Sequence, residues 1–198
     1  MLICGVDEAG RGPLAGPVSA AAVILPRGYP VEELRDSKRL TAGRREHLFD
    51  AITADALAWG IGWASHVEID TINILRASHL AMRRAVAALT VRPEGAIVDG
   101  SVLPELGVPA EAIVKADATV PAVMAASILA KVARDRWMEA YARIDPRYGF
   151  NAHKGYPTPR HREVLAALGP SAIHRRSFDA TCSRDGKSRR PAHGCARR

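Results

Sequence analysis

The first sixteen residues constrain the fold of this chain more than any other stretch. Residues 2–6 are apolar and predict a buried strand, and two adjacent carboxylates, Asp7 and Glu8, follow directly. The turn that comes next contains three glycines: Gly10, Gly12 and Gly16. Because burying unpaired charge is costly, acids at the end of a central strand indicate a bound cation. The alternative is a strand that ends in acids at a solvated turn.

The pattern beyond residue 16 predicts an α/β fold in which a mixed sheet is flanked by helices. Residues 18–25 follow the glycine turn so closely that they predict a second strand, antiparallel to the first. Further strands are predicted over residues 56–66, 96–98 and 112–114. Helical patterns predict helices over residues 42–54, 68–89, 121–141 and 160–168. Thr41 and Thr119 are the expected N-caps of the first and third helices.

Two later acids also follow predicted strands: Asp99, before Gly100, and Asp117. Ligands of open α/β sheets collect outside the carboxyl ends of the strands, so these acids are expected beside Asp7 and Glu8. A pocket of hard oxygen ligands favours Mg²⁺ or Mn²⁺ over zinc. Adjacent strand residues point to opposite faces, so Asp7 and Glu8 share one site only if the strand bends or ends between them. Taken singly, each later acid also fits an ordinary turn or helix cap.

Length and composition favour one globular domain of a cytoplasmic protein. The chain has 198 residues, of which 47 % are apolar and 25 % charged, as in an ordinary soluble domain. No run of 18 apolar residues and no secretory leader is present, so no membrane association is expected. Cys4, Cys182 and Cys195 have no metal-ligand spacing, and their odd number fits a reducing compartment.

The net charge of +7 is concentrated at the end of the chain. Residues 183–198 have a surplus of +5, and we expect them to be a basic, disordered tail after a domain over residues 1–182. Residues 147–176 form a second basic segment, with six basic side chains against one acid. Solvated surface is the simpler interpretation of this segment. The alternative is a polyanion surface, as in a non-catalytic nucleic-acid-binding protein.

Other nucleotide-binding and catalytic motifs fit poorly. The glycine turn has the spacing G-x-G-x-x-x-G, and a strand rather than a helix follows it, so a dinucleotide-binding loop is disfavoured. No G-x-x-x-x-G-K-[ST] sequence is present, which excludes an ATPase of that type. No serine or cysteine nucleophile arrangement stands out.

A series of segments, in order along the chain, resembles the motifs of the type 2 ribonucleases H, and of bacterial ribonuclease HII in particular. They are residues 6–13 (VDEAGRGP), 36–40 (DSKRL), 98–100 (VDG), 115–117 (KAD), 125–135 (AASILAKVARD), 153–158 (HKGYPT) and 174–178 (HRRSF). The resemblance extends from residue 3 to about residue 178. Only six residues precede Asp7, so no additional N-terminal domain is expected, which favours ribonuclease HII over ribonuclease HIII.

The resemblance implies a ribonuclease-H-like α/β fold: a mixed five-stranded sheet flanked by helices, with a C-terminal helical segment. It implies metal-dependent endonucleolytic cleavage of the RNA strand of RNA–DNA hybrids, and cleavage 5′ of single ribonucleotides in duplex DNA, leaving 3′-hydroxyl and 5′-phosphate ends. Two Mg²⁺ or Mn²⁺ ions would perform this hydrolysis. The chain is expected to be a monomer, and the sequence gives no indication of a protein partner such as a replication clamp.

The resemblance also implies residue roles. The metal-binding catalytic acids would be Asp7, Glu8, Asp99 and Asp117. The ribose 2′-hydroxyl would be recognised by Gly10, Arg11 and Gly12. Tyr156 would stack on the neighbouring deoxyribose, and phosphates would be held by Lys38, Ser127 and Lys131. Without the resemblance, Tyr156 fits a packed loop aromatic, Lys131 fits an ion pair with Asp135, and Lys38 fits surface charge.

Overall fold

The computed structural model describes residues 1–32, 34 and 41–178. Within these residues five strands form one sheet: β1 (Ile3–Ala9), β2 (Val18–Ile24), β3 (Ala58–Ala64), β4 (Gly95–Asp99) and β5 (Ala110–Ile113). The helices described are α1 (Ala42–Asp55), α2 (His66–Ile72), α3 (Ile74–Ala87), α4 (Pro121–Ile144), α5 (Phe150–His153) and α6 (Pro159–Leu168). The tail 183–198, Cys182 and Cys195 lie outside the described residues.

The sheet is mixed, with strand order β3-β2-β1-β4-β5. β2 pairs antiparallel with both β1 and β3, which confirms the predicted hairpin, and β4 pairs parallel with β1 and β5. The central strand β1 therefore has an antiparallel neighbour on one side and a parallel neighbour on the other. Because β1 and β4 run in the same direction, their carboxyl ends meet at one edge of the sheet. None of the described helices has the length and hydropathy that a membrane span requires.

Helices cover both faces of the sheet. On one face, Cys4 and Val6 of β1 pack in a cluster with Ala77 and Ala81 of α3. On the other face, β2 packs against α1 and α4. The approach of α4 requires glycine in β1, because a Cβ on Gly5 would lie only 2.1 Å from a backbone carbon of α4. This close packing fixes the position of α4 relative to the carboxyl end of β1.

A third apolar cluster forms the expected C-terminal helical segment. Met138 of α4 packs with Tyr148, Phe150 and Val164, so α5 and α6 are attached to the last turns of α4. Thr158 caps α6, and its side-chain oxygen accepts a hydrogen bond from the backbone nitrogen of His161 at 3.2 Å. The described residues 146–178 therefore form an extension on one side of the sheet.

Two expectations about strand limits are wrong. β1 does not end at residue 6 but continues through Ala9, because Asp7 and Glu8 remain in register with Ala21 and Ala20 of β2. The apolar run stops earlier than the hydrogen-bonded ladder does. The last strand is β5 (Ala110–Ile113) rather than residues 112–114, since its pairing with β4 begins at Ala110.

Two expectations about helices are also wrong. The helix predicted over residues 68–89 is two helices that break at Asn73, which has φ of 68° and caps α3 through its side-chain oxygen. This backbone conformation is not helical, so it separates the two helices, while the periodicity on either side conceals the break. The N-cap of α4 is Val120 rather than Thr119, whose hydroxyl instead donates to the carbonyl of Lys115 at 3.5 Å.

Candidate active site

Asp7 and Glu8 lie in the last three residues of β1, at its carboxyl end. The strand does not end between them, because the ladder with β2 continues through both residues, so the alternation of side chains persists. The two carboxylates nevertheless interact. Burial, followed by the negative charge of Glu8, raises the pKa of Asp7 well above its usual range, although a hydrogen bond from Ser127 opposes the rise. Two adjacent acids therefore form one electrostatic unit at this edge of the sheet.

The two later acids join this unit from β4 and from the turn after β5. Val98 pairs with Val6, which brings the next residue, Asp99, alongside Asp7, and the charge of Asp99 further raises the pKa of Asp7. Asp117 is buried in a 3₁₀ turn over Ala116–Ala118, and its backbone nitrogen donates to Oδ1 of Asp99 at 3.4 Å. The structure therefore brings all four predicted acids to one edge.

The donor chemistry of this edge fits a divalent cation. Oε1 of Glu8 contacts Nη1 of Arg11 at 3.1 Å, whereas its Oε2 is buried and has no hydrogen-bond partner among the described residues. An unpartnered buried carboxylate oxygen beside a second buried carboxylate is unfavourable unless positive charge compensates it. The ligands offered are all hard oxygens, which suits Mg²⁺ or Mn²⁺.

The carboxylates are not placed around one point. In the part of the chain that the structure describes, no three His, Cys, Asp or Glu side chains are grouped so that they could hold one ion.

A cleft of about 410 Å³ opens beside Glu8. It is lined by most of the residues expected to bind substrate, together with an additional arginine from α1: Gly10, Arg11, Gly12, Arg45, Ser127, Lys131 and Tyr156. A Cβ on Gly12 would lie 3.7 Å from the Tyr156 ring, so the glycine loop and this aromatic ring lie within van der Waals reach of each other at the cleft. Lys38 lies outside the described residues.

Lys131 satisfies both interpretations of its sequence position. Its Nζ contacts Oδ1 of Asp135 at 2.6 Å, as the helical spacing predicts, and it also lines the cleft 5.9 Å from the centre of the Tyr156 ring. The Tyr156 side chain is 39 % exposed, so it is not a packed loop aromatic. Its ring is therefore available to a ligand in the cleft.

Two buried arginines that were not predicted hold the glycine loop. Arg134 of α4 is 1 % exposed and Arg175 is 2 % exposed. Both donate hydrogen bonds to carbonyl oxygens of the loop, and Arg134 comes so close that a Cβ on Gly10 would lie 2.0 Å from its Nε. Both lie in segments that resemble family motifs, and Arg134 follows Ser127 and Lys131 at helical spacing. That spacing is the signal that could have identified Arg134.

The basic segment 147–176 is largely engaged within the protein. Three of its six basic side chains form ion pairs: Arg147 with Asp145, Lys154 with Glu139 and Arg160 with Glu163. A fourth, Arg175, is the buried arginine described above. Ion pairs and burial therefore account for four of the six basic side chains of this segment.

Three imidazoles pack behind the Tyr156 segment. His174 Nδ1 accepts from the backbone nitrogen of Ser171 at 2.8 Å, so its Nε2 carries the proton towards His161 Nε2 at 3.0 Å. His161 Nδ1 then donates to the carbonyl of Tyr156 at 2.9 Å, and the His153 ring stacks on that of His161. Burial, ahead of the charge of His161, lowers the pKa of His174 to about 4, so this network is neutral at neutral pH.

Comparisons with known proteins agree with this geometry. The sequence profile of the family described as ribonuclease HII matches residues 4–181. The chain is 60 % identical over 177 residues to the ribonuclease HII of Paracidovorax citrulli (strain AAC00-1), covering 89 % of this chain and 74 % of that protein. It is 56 % identical over 176 residues to the ribonuclease HII of Moorella thermoacetica (strain ATCC 39073 / JCM 9320), covering 89 % of this chain and 85 % of that protein.

Solved structures show the same fold. The ribonuclease H2 of Pyrococcus horikoshii OT3 has a TM-score of 0.75 and 32 % identity, with 91 % of this chain and 95 % of that one covered. The ribonuclease HII of Archaeoglobus fulgidus, solved in complex with PCNA, has a TM-score of 0.74 and 31 % identity, with 90 % and 96 % covered. The expected α/β fold, a mixed five-stranded sheet flanked by helices with a C-terminal helical segment, is confirmed. The chain therefore belongs to the ribonuclease HII family, whose members are metal-dependent type 2 ribonuclease H endonucleases that act on RNA–DNA hybrids.

Proposed function

We propose that this protein cleaves the RNA strand of RNA–DNA hybrids, and also cuts duplex DNA on the 5′ side of a single ribonucleotide. The products are 3′-hydroxyl and 5′-phosphate ends. The supporting observation is that β1, β4 and the turn after β5 bring four acidic residues to one edge of the sheet, next to a cleft lined by the glycine loop and Tyr156. Acids supply the hydrolytic chemistry, and the cleft supplies a surface that can distinguish ribose from deoxyribose.

The four acids Asp7, Glu8, Asp99 and Asp117 would hold two Mg²⁺ or Mn²⁺ ions. When bound there, these ions would supply an activated water for in-line attack and stabilisation of the leaving oxygen. Asp7 would be the central ligand, because its carboxyl interacts with both Glu8 and Asp99 and takes a hydrogen bond from Ser127. The ion pair between Arg11 and Glu8 holds the Glu8 side chain at the mouth of the cleft.

Recognition of the ribonucleotide is assigned to the two walls of the cleft. The backbone of Gly10, Arg11 and Gly12 would read the 2′-hydroxyl, the group that distinguishes RNA from DNA at one nucleotide. Tyr156, on the opposite wall, would stack on the neighbouring deoxyribose. Phosphates would be held by Lys38, Ser127 and Lys131, of which the last two line the cleft.

The decisive experiment is to map the cut on a DNA duplex containing one ribonucleotide. Cleavage 5′ of the ribonucleotide in Mg²⁺ or Mn²⁺, and none after chelation, is the expected result. Asp7→Asn and Asp99→Asn should abolish cleavage while duplex binding, measured by fluorescence anisotropy, largely survives. Cleavage that persists in a metal-free preparation, or in both variants, would contradict the metal mechanism. A non-catalytic nucleic-acid-binding protein would instead bind without cutting and without any metal requirement.

For the remainder of the chain we propose a single catalytic domain over residues 1–182 that acts as a monomer in the cytoplasm. The basic residues 183–198 would add affinity for any polyanion without directing the cut. Deleting them should weaken binding at low salt and leave the cleavage position unchanged. Light scattering of the full-length protein tests the monomeric state.

A further inference from the structure

The loop between β1 and β2 is held by an unusual density of side-chain donors. The guanidinium groups of Arg134 and Arg175 donate seven hydrogen bonds to backbone carbonyls. Arg134 bonds to the carbonyls of Ala15, Pro17 and Lys154, and Arg175 bonds to those of Gly10, Arg11, Gly16 and Pro17, at 2.6 to 3.2 Å. Six of these seven bonds end on the loop of residues 10–17.

Both charges are buried without a carboxylate partner. Neither Arg134 nor Arg175 forms an ion pair with an acid among the described residues, and both side chains are at most 2 % exposed. Burying a cation in this way is costly unless its donors are satisfied. The planar fork of arginine offers five donors in fixed directions, which lysine cannot reproduce. The carbonyls of the loop must therefore stay where the two forks hold them.

Arg134 also connects the loop to the opposite wall of the cleft. Its Nη1 donates to the carbonyl of Lys154 at 3.0 Å, and its Cζ lies 5.9 Å from the centre of the Tyr156 ring. Two further contacts join the same segments: the backbone nitrogen of Leu14 donates to the carbonyl of Gly155 at 2.8 Å, and a Cβ on Gly155 would lie 2.6 Å from the carbonyl oxygen of Ala15.

Arg175 reaches the loop from the C-terminal segment. Its backbone nitrogen donates to the carbonyl of Leu14 at 2.8 Å, and Ala15 pairs with its neighbour His174 in an isolated bridge. The side-chain hydrogen bonds of Arg175 all end on the loop, and none ends on Lys154. Arg134 is the side chain that bonds to both walls.

We propose that Arg134 and Arg175 are positioning residues that determine specificity for a ribonucleotide–deoxyribonucleotide junction. They set the separation between the backbone of the glycine loop and the Tyr156 ring. This separation determines whether a ribose can lie against the loop while the deoxyribose that follows it lies against the ring. This inference rests on the proposed function of the cleft. Both side chains are at most 2 % exposed and lie away from the acids' hydrogen bonds, so their replacement should change selectivity rather than the hydrolytic chemistry.

The test compares Arg134→Lys, Arg175→Lys and a control, Ile52→Ala. Ile52 is fully buried between α1 and the sheet, away from the cleft, so its truncation lowers stability without touching the loop. The measurement is kcat/KM on a one-ribonucleotide duplex divided by kcat/KM on a uniform hybrid of the same sequence. We expect both lysine variants to lower this ratio about tenfold or more, since small displacements of positioning groups have large effects. The control should leave the ratio unchanged.

A ratio that stays at the wild-type value in folded lysine variants would overturn the proposal and leave the arginines a purely structural role. Failure of the proposed function gives a different result, because the wild-type protein would then cut neither substrate. In that case hydrogen exchange still tests the coupling of the two walls. Arg134→Lys should accelerate exchange in residues 9–17 and in 153–157, whereas Arg175→Lys should accelerate it mainly in 9–17. Unchanged exchange in 153–157 of Arg134→Lys would refute the coupling.

The wild-type protein provides the measurement if the variants do not fold. The amides of Leu14 and Gly16 donate to different segments, at Gly155 and Ile173. If the arginines hold the loop as one unit, both amides should exchange through a single opening and have the same protection. Protection that differs by more than about tenfold would show separate openings and would contradict the proposal.

Discussion

Replacing Gly10 by alanine tests how tightly the loop is held. Gly10 has φ of +99°, a conformation that side-chain-bearing residues rarely adopt. A Cβ there would lie 2.0 Å from Nε and 2.4 Å from Cδ of Arg134, so the arginine must move. That Nε donates to the carbonyl of Pro17 at 2.9 Å, and moving it breaks this bond.

The cost of Gly10→Ala follows from two contributions. Backbone strain at positive φ costs about 1–2 kcal/mol. Losing one hydrogen bond from a buried charged donor costs about 1.5–3 kcal/mol. We expect the free energy of unfolding to fall by about 2.5–5 kcal/mol, which lowers the melting temperature of a domain of this size by roughly 10 °C.

Urea denaturation followed by circular dichroism measures this loss against two matched variants. Gly28→Ala has positive φ, +75°, but no atom within 4 Å of the new Cβ, so it isolates the strain at about 1–2 kcal/mol. Gly12→Ala has neither strain nor clash, since its Cβ meets the Tyr156 ring at 3.7 Å, and should change stability by less than about 1 kcal/mol. If Gly10→Ala is no less stable than Gly28→Ala, the loop is not locked against Arg134.

Three further predictions concern charge. Asp7→Asn should raise the free energy of unfolding of the metal-free protein by on the order of 1 kcal/mol, because burial and Glu8 disfavour the Asp7 carboxylate; a loss of stability in chelator would contradict this. The folded-state pKa of His174, about 4, lies below its usual 6.5, so the free energy of unfolding should fall by on the order of 2 kcal/mol between pH 6.5 and pH 4. Urea titrations at several pH values measure this dependence, and His174→Gln should make it weaker. Lys131→Ala should raise KM for the one-ribonucleotide duplex several-fold while changing stability by less than about 1 kcal/mol, and an unchanged KM would remove its phosphate role.

The acids and the strands that hold them were predictable because apolar runs and the residues that interrupt them are local features. Asp99 ends β4 as expected, and parallel pairing then brings it beside Asp7. The extension of β1 through Glu8 was not predictable, because the ladder with β2 depends on a partner strand rather than on hydrophobicity. The break at Asn73 was missed because a helical pattern continues on both sides of it.

The buried arginines show a different limit of sequence reasoning. A charged side chain is normally expected at the protein surface, and Arg175 belongs to a basic segment of the sequence. In the structure, Arg175 is only 2 % exposed. Its hydrogen-bond partners are backbone carbonyls, which every residue has. No pattern of side chains in the sequence could therefore have predicted these contacts. The family resemblance marked the segments that contain Arg134 and Arg175, but only the structure shows that both point at one loop.

The contacts of Arg175 have a consequence for synthesis of the chain. Gly16 and Arg175 are separated by 159 residues, so the loop that follows the first strand acquires its last donors only when nearly the whole described chain exists. At about 5–20 residues per second, a ribosome needs about 8–32 s to cover that distance. Near the end of this interval the acids of the sheet and Arg134 are already present, while the loop beside them still lacks the four hydrogen bonds that Arg175 donates. We therefore expect chains truncated before residue 175 to lack junction selectivity. The core of this nuclease would then form before its specificity is established.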